Sequence, residues 1–190
     1  MVTDEEFVKR AIDVYVGRNI KTMEAALDAG ADAVMPTDDY SDNRGPIMGA
    51  ETFRKFIIPG MKRQVEAVHK KGKIFIKHTD GNLWAILDDL ISAGIDGLHG
   101  IQMNIGMDMA KLKEKYGSRL CFFGGTNCET LINGTPEELR QEVLESIRGA
   151  AKGGGLVITT SNVVPPGASL ENYMAAREAV RTYGKYPIRV

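Results

Sequence analysis

One pattern occurs twice in the chain and limits what it can fold into. Ala29-Gly30-Ala31-Asp32-Ala33-Val34 and Ala93-Gly94-Ile95-Asp96-Gly97-Leu98 both read Ala-Gly-x-Asp-small-aliphatic. Each ends a run with helical apolar spacing and opens a short β-prone run. The glycine caps a helix, the chain turns, and a strand begins. A helix-to-strand joint used twice marks repeated strand–helix units, which build parallel sheets through right-handed crossovers. The pattern defines architecture and carries no chemistry of its own.

The rest of the chain repeats the theme. Thr3-Asp4-Glu5-Glu6 has a hydroxyl cap and acidic first-turn residues, and Phe7, Ala11, Ile12, Val14 and Tyr15 continue near the helical period. A second helical run covers about Lys21–Ala29, followed by a short strand, Ala33-Val34-Met35, broken by Pro36. From Ala50 to Lys71 the spacing predicts a long amphipathic helix, kinked or divided at Pro59. Helix Asn82–Ala93, with Trp84 in the core, strand Asp96–Gln102, helix Asp108–Tyr116 and strand Leu120–Gly124 follow. Thr135 and Pro136 open a helix to about Lys152, then come strand Leu156–Thr160 and a last helix from Leu170 to Tyr183. The fold class is α/β, with about five parallel strand–helix units after an N-terminal helical segment. That is enough for an open doubly wound sheet, or for the larger part of a barrel whose beginning is missing.

A net charge of −1 gives no electrostatic case for nucleic acid or an anionic membrane as partner. No apolar run is long enough to span a bilayer, and the N-terminus lacks a signal-peptide core. Cys121 and Cys128 form neither a disulfide framework nor a metal knuckle, and Cys121 falls in an apolar strand where a buried inert thiol is expected. A reducing cytoplasm is the expected compartment.

Chemistry is expected where strands end, because parallel α/β folds collect ligands at the C-terminal ends of their strands. Ile74–Gly81 (IFIKHTDG) is such an end, carrying His78 and Asp80. Two readings stay open: a pocket pair, or a satisfied surface histidine with Asp80 capping the next helix. The loop after Pro36 holds Asp38, Asp39, Tyr40 and Asp42 near Arg44; Asp38, nearest the strand, is the pocket candidate, and Asp42 is expected in water. On the third strand His99 has either face open to it, while Gln102, near the strand end, is the better pocket candidate. Gly124-Gly125-Thr126-Asn127 ends the fourth strand, its paired glycines allowing a tight turn or close approach to a ligand. They form neither GxGxxG nor a P-loop, so nucleotide binding is not indicated.

Taken together, several segments resemble the C-terminal part of the uroporphyrinogen decarboxylase superfamily. They are Gly45-Pro46-Ile47-Met48 with Phe53, Phe56 and Pro59; His78-Thr79-Asp80-Gly81-Asn82; Gly94-Ile95-Asp96-Gly97-Leu98 with Gln102; Gly106-Met107-Asp108 through Lys115-Tyr116-Gly117; Gly124-Gly125-Thr126; Gly134-Thr135-Pro136-Glu137-Glu138; and Ser161 to Asn172. The group includes the decarboxylase of haem biosynthesis and cobalamin-dependent methyltransferases related to methylcobalamin:coenzyme M methyltransferase. The resemblance implies one domain over residues 1–190, a partial TIM-type (β/α)8 barrel.

It also implies two chemistries. In the methyltransferases a His-x-Cys-Gly pattern and a later cysteine bind zinc, and a corrinoid is carried by a partner protein. Here the pattern reads His78-Thr79-Asp80-Gly81, and the later position falls near Asn162. The implied zinc ligands are therefore His78 and Asp80, with Asp38 as a further catalytic residue, and Asp39, Tyr40, Gln102, Gly124, Asn127 and Asn162 lining a small-molecule pocket. The departure from cysteine leaves a different acceptor or metal geometry open. The decarboxylase needs no cofactor, but its early arginine-bearing segment and pyrrole-holding aspartate have no counterpart here; Arg44 and Lys77 give thin support for a polyanion. A non-catalytic partial-barrel subunit is the third alternative. An incomplete barrel exposes two strand edges and its apolar interior, so a homo-oligomer, or pairing with the missing barrel half, is expected.

Overall fold

A computed structural model describes residues 3–190. Helix α1 spans Glu5–Asp28 without interruption, so the two predicted N-terminal helices are one. Its cap is Asp4, which accepts from the Phe7 N–H, rather than Thr3. Strand β1 (Ala33–Val34) is followed by a small hairpin, β2 (Ser41–Asp42) and β3 (Gly45–Pro46), in the polar loop where no strand was expected. Helices α2 (Ala50–Phe56) and α3 (Ile58–Lys70) divide near Pro59, because the ring at the start of α3 has no N–H to continue the helix before it.

Strand β4 (Ile74–His78) leads to α4, which covers only Leu87–Ser92. The predicted helix from Asn82 starts late because Gly81 and Asn82 are tied to neighbouring segments: the Asn82 N–H donates to the Asp42 carbonyl. Then come β5 (Gly97–Ile101), α5 (Met109–Tyr116, capped by Asp108), β6 (Cys121–Thr126), a short α6 (Cys128–Asn133) that the spacing does not predict, α7 (Pro136–Ala150, closed by a Thr135–Glu138 capping box), β7 (Leu156–Thr160) and α8 (Leu170–Tyr183).

The main sheet is parallel throughout, in the order β1-β4-β5-β6-β7. Each strand is added on the same side of the last, without the reversal of a doubly wound sheet. Right-handed crossovers in one constant direction place every connecting helix on one face. The result is a partial (β/α)-barrel, with helices outside and a second sheet face that would line the barrel.

Residue parity follows. Phe75, Leu98 and Phe122 pack into the core under the helices with Phe53, Leu83 and Leu90. Ile76, Gly97 and Phe123 share the opposite face: a Cβ at Gly97 would lie 2.8 Å from the Phe123 ring and 3.3 Å from Ile76. Side chains alternate, so Ile74, His78 and Val157 belong to this inner face too. Ile74 is 49% and Val157 43% exposed, unusual for apolar residues in a parallel sheet. β1 and β7 are edge strands, unpaired on their outer sides among the described residues.

Trp84 is half-buried against the core and donates its indole N–H to the Gly106 carbonyl at 3.0 Å. Cys121 is half-buried, and burial pushes its thiol pKa up. No helix among the described residues is long and apolar enough to cross a membrane.

Candidate metal centre

His78 is the last residue of β4, on the inner face, and is buried. The chain leaves the strand through Thr79, Asp80 and Gly81. Gly81 holds φ at +93°, and a Cβ there would lie 2.5 Å from the Ser41 carbonyl oxygen, so the turn is pressed against the β2–β3 hairpin. Gln102 pins the same turn from the other side, its Oε1 accepting from the Gly81 N–H at 2.6 Å. Asp39, in the loop after β1, accepts from the Asp80 N–H at 3.0 Å.

These contacts bring three ligand atoms together. His78 Nε2 lies 3.9 Å from Asp39 Oδ1 and 4.0 Å from Asp80 Oδ1, and one donor atom from each of the three residues falls within 4.8 Å of the others. Asp80 Oδ2 accepts from Asn162 Nδ2 at 2.6 Å, while Asp80 Oδ1 is buried with no hydrogen-bond partner. Burial pushes the Asp80 carboxyl above its ordinary range, with the Asn162 hydrogen bond and His78 acting against that rise.

One nitrogen and two carboxylate oxygens suit a divalent cation, and zinc accepts both donor types. The lone buried carboxylate oxygen is the atom a cation would satisfy. No cysteine belongs to the cluster. Asn162 is outside the three-residue cluster and holds Asp80 through its other carboxylate oxygen, as outer-shell partners of metal ligands do.

The other residues singled out in the sequence lie elsewhere. Asp38 accepts from Lys77 Nζ at 3.2 Å and from the Tyr15 hydroxyl at 2.8 Å. Lys77 precedes His78 in the strand, so it points to the opposite, helix-covered face, and Asp38 follows it there. Tyr40 shares that side, with its ring 5.0 Å from Phe53 and 4.6 Å from Lys77 Nζ; burial raises its hydroxyl pKa. Gly124 packs on Ile101 and Met109, where a Cβ would come within 3.2 Å of Ile101 Cβ. Asn127 donates its side-chain and backbone N–H groups to Glu142, both at 2.8 Å. Asp42 holds the Arg44 and Gly45 N–H groups and pairs with the exposed Arg44 side chain, which keeps its carboxyl below the ordinary range. Of the two cations weighed from the sequence, Lys77 is paired with Asp38 on the buried face, and Arg44 pairs with Asp42 in an exposed surface contact.

His99 is the residue that pattern alone did not select. It pairs in register with His78 on the next strand, and the two Nδ1 atoms are 2.7 Å apart. Its Nε2 lies 3.1 Å from the Thr160 carbonyl oxygen. Burial, and then the neighbouring His78, push the His99 pKa down.

The sequence model "Uroporphyrinogen decarboxylase (URO-D)" matches residues 1–183. A uroporphyrinogen decarboxylase of Chlorobium phaeovibrioides is 29% identical over 121 residues, covering 62% of this chain and 32% of that protein. The methylcobamide:CoM methyltransferase MtaA of Methanosarcina barkeri is 26% identical over 171 residues, covering 90% of this chain and 47% of that protein. Among solved structures, a methyltransferase from Methanosarcina mazei superposes with a TM-score of 0.83 at 24% identity, covering 97% of this chain and 52% of that one. The chain thus spans 32% to 47% of the length of these curated relatives. With a parallel partial barrel and a family match over nearly its whole length, the chain belongs to the uroporphyrinogen decarboxylase (URO-D) family.

Proposed function

We propose that this chain supplies the metal-holding part of a methyl-transfer barrel that works with cobalamin carried by a partner protein. The observation that carries the proposal is the convergence of Asp39, His78 and Asp80 at a strand end, with Asp80 Oδ1 buried and unpaired. His78, Asp39 and Asp80 would hold zinc; when bound, the metal supplies Lewis acidity toward the methyl acceptor. Asn162 orients Asp80, and Gln102 fixes the Gly81 turn that carries it. Uroporphyrinogen decarboxylation is the second reading, favoured by the curated relatives of that name. Against it stands Lys77, which is buried on the helix-covered face against Asp38 and turned away from the inner face where a substrate would sit.

The test is metal analysis of protein purified without chelator, beside His78→Ala. Near-stoichiometric zinc that is lost in the variant is the expected result. No metal in either protein removes the zinc role and shifts weight to decarboxylation, which uroporphyrinogen turnover then tests.

The proposal extends to the open edges. A groove of about 440 Å³ runs between α1 and β1, lined by Tyr15, Met23, Val34 and Met35. Another of about 280 Å³ lies between β7 and α8, lined by Leu131, Ile158, Ala176 and Val180. Eight-stranded closure would need about three more parallel strands, and we assign them to polypeptide outside these 190 residues. Without that complement, the chain is expected to self-associate at micromolar concentration, because unpaired parallel edges and an uncovered apolar face recruit partners. Light scattering showing a stable monomer would count against it.

A further inference from the structure

We infer that His99 is a positioning residue that sets the tautomer of His78, so that His78 turns an unprotonated Nε2 toward Asp39 and Asp80. The inference rests on the proposed metal role for its purpose, but its geometry stands alone. The Thr160 carbonyl has only lone pairs, so the 3.1 Å contact requires His99 Nε2 to donate. An imidazole with one N–H that places it on the Thr160 carbonyl has only a lone pair on its other ring nitrogen. His99 Nδ1 is then an acceptor. The 2.7 Å contact between the two Nδ1 atoms needs one proton, which His78 Nδ1 must provide. His78 Nε2 is left with its lone pair, facing carboxylate oxygens at 3.9 and 4.0 Å, too far for hydrogen bonds and open enough for a cation between them.

The backbone supports this relay from Thr160 through His99 to His78. The ladder between β5 and β6 shifts register between His99 and Ile101, around Gly100, which has φ +96°. A Cβ at Gly100 would lie 2.5 Å from the Thr79 oxygen and 3.0 Å from Asp80 Oδ1. Glycine there lets the turn carrying Asp80 lie directly on β5, beside His99. The Thr79 N–H in turn donates to the His99 carbonyl at 3.1 Å, so the two histidine backbones are tied at the place where their rings meet.

The chain has three histidines, so long-range ¹H–¹⁵N NMR of metal-free protein, with His78→Ala for assignment, reads the tautomer directly. His78 is expected as the Nδ1–H form; finding it as Nε2–H overturns the inference, whatever the variants do. His99→Leu cannot accept the proton, so the Nε2–H form should appear, with zinc affinity in a chelator competition falling roughly 10–100-fold. His99→Asn can place a carbonyl oxygen near the Nδ1 position, so it should retain the tautomer and recover most of the affinity. An unchanged tautomer and zinc affinity in His99→Leu would also overturn the inference. If wild-type protein shows the Nδ1–H form but binds no zinc, the metal proposal fails and the tautomer assignment stands.

Discussion

Truncating Phe53 to alanine is expected to lower the unfolding free energy by about 3–5 kcal/mol, the range for deleting a fully buried aromatic ring. Phe53 is 0% exposed and lies in the main core under the helices. Its ring meets Tyr40 at 5.0 Å and a 60° tilt, a geometry that adds attraction beyond buried area. The cavity would open beside the loop that carries Asp39. Tyr40 is held there by its N–H to Thr79 Oγ1 at 3.0 Å, and its neighbour Asp39 holds the Asp80 N–H. The variant should therefore weaken zinc binding as well as stability, although Phe53 touches none of the three ligands. Urea unfolding with matched m-values and zinc competition on folded protein separate the two effects. Phe53→Leu keeps most of the volume and should cost on the order of 1 kcal/mol. A loss below about 1 kcal/mol for alanine would show that α2 is not part of the cooperative core.

The architecture was legible because it depends on local chemistry. The Ala-Gly-x-Asp joints, Pro59 and the Thr135 cap act within a few residues of themselves, and each marks the boundary it predicts. The site was legible only as a neighbourhood. Asp38 and Asp39 are adjacent, as are Lys77 and His78, and in an extended chain adjacent side chains point to opposite faces. Asp38 goes with Lys77 under the helices, and Asp39 goes with His78 toward the inner face. Which parity prevails depends on the β1–β4 pairing, continued past Pro36 by the bridge between Thr37 and His78, and that register is not a local property. His99 poses the same problem one strand further on. Its face became definite only through pairing with His78, although two histidines at corresponding places on successive strands were a usable signal. Asn127 was drawn away by Glu142, a partner on α7 that no strand-end pattern could indicate.

Replacing Asp38 with asparagine should destabilise the fold by about 2–3 kcal/mol near neutral pH, mainly through the lysine it leaves behind. Lys77 is 1% exposed and its ammonium has Asp38 as its carboxylate partner at 3.2 Å. Removing one member of a buried pair strands the other charge, which costs about 3–5 kcal/mol when both are fully enclosed. The Asp38 side chain is 32% exposed, so solvent screening places the expected loss below that range. Asparagine is nearly isosteric and can still offer an oxygen to Lys77 and an amide to Tyr15, so the substitution mainly removes charge. The sign of the pH dependence follows from Lys77, whose pKa burial already holds below its ordinary value while Asp38 opposes the shift. A depressed lysine binds fewer protons folded than unfolded, so stability rises with pH from the folded pKa up to about 10.4, the unfolded value. Loss of Asp38 depresses Lys77 further and widens that window toward lower pH. The deficit of Asp38→Asn relative to wild type should therefore shrink as pH is raised from neutral toward about 10, above the range where the Asp38 carboxyl titrates and below the range where the Tyr40 hydroxyl, whose raised pKa also depends on Asp38, contributes. Lys77→Met in the Asp38→Asn background should recover much of the loss at neutral pH, because it removes the stranded charge and keeps the volume. A deficit that stays constant with pH, or that Lys77→Met does not relieve, would show that Asp38 acts through packing and not through the ammonium it faces.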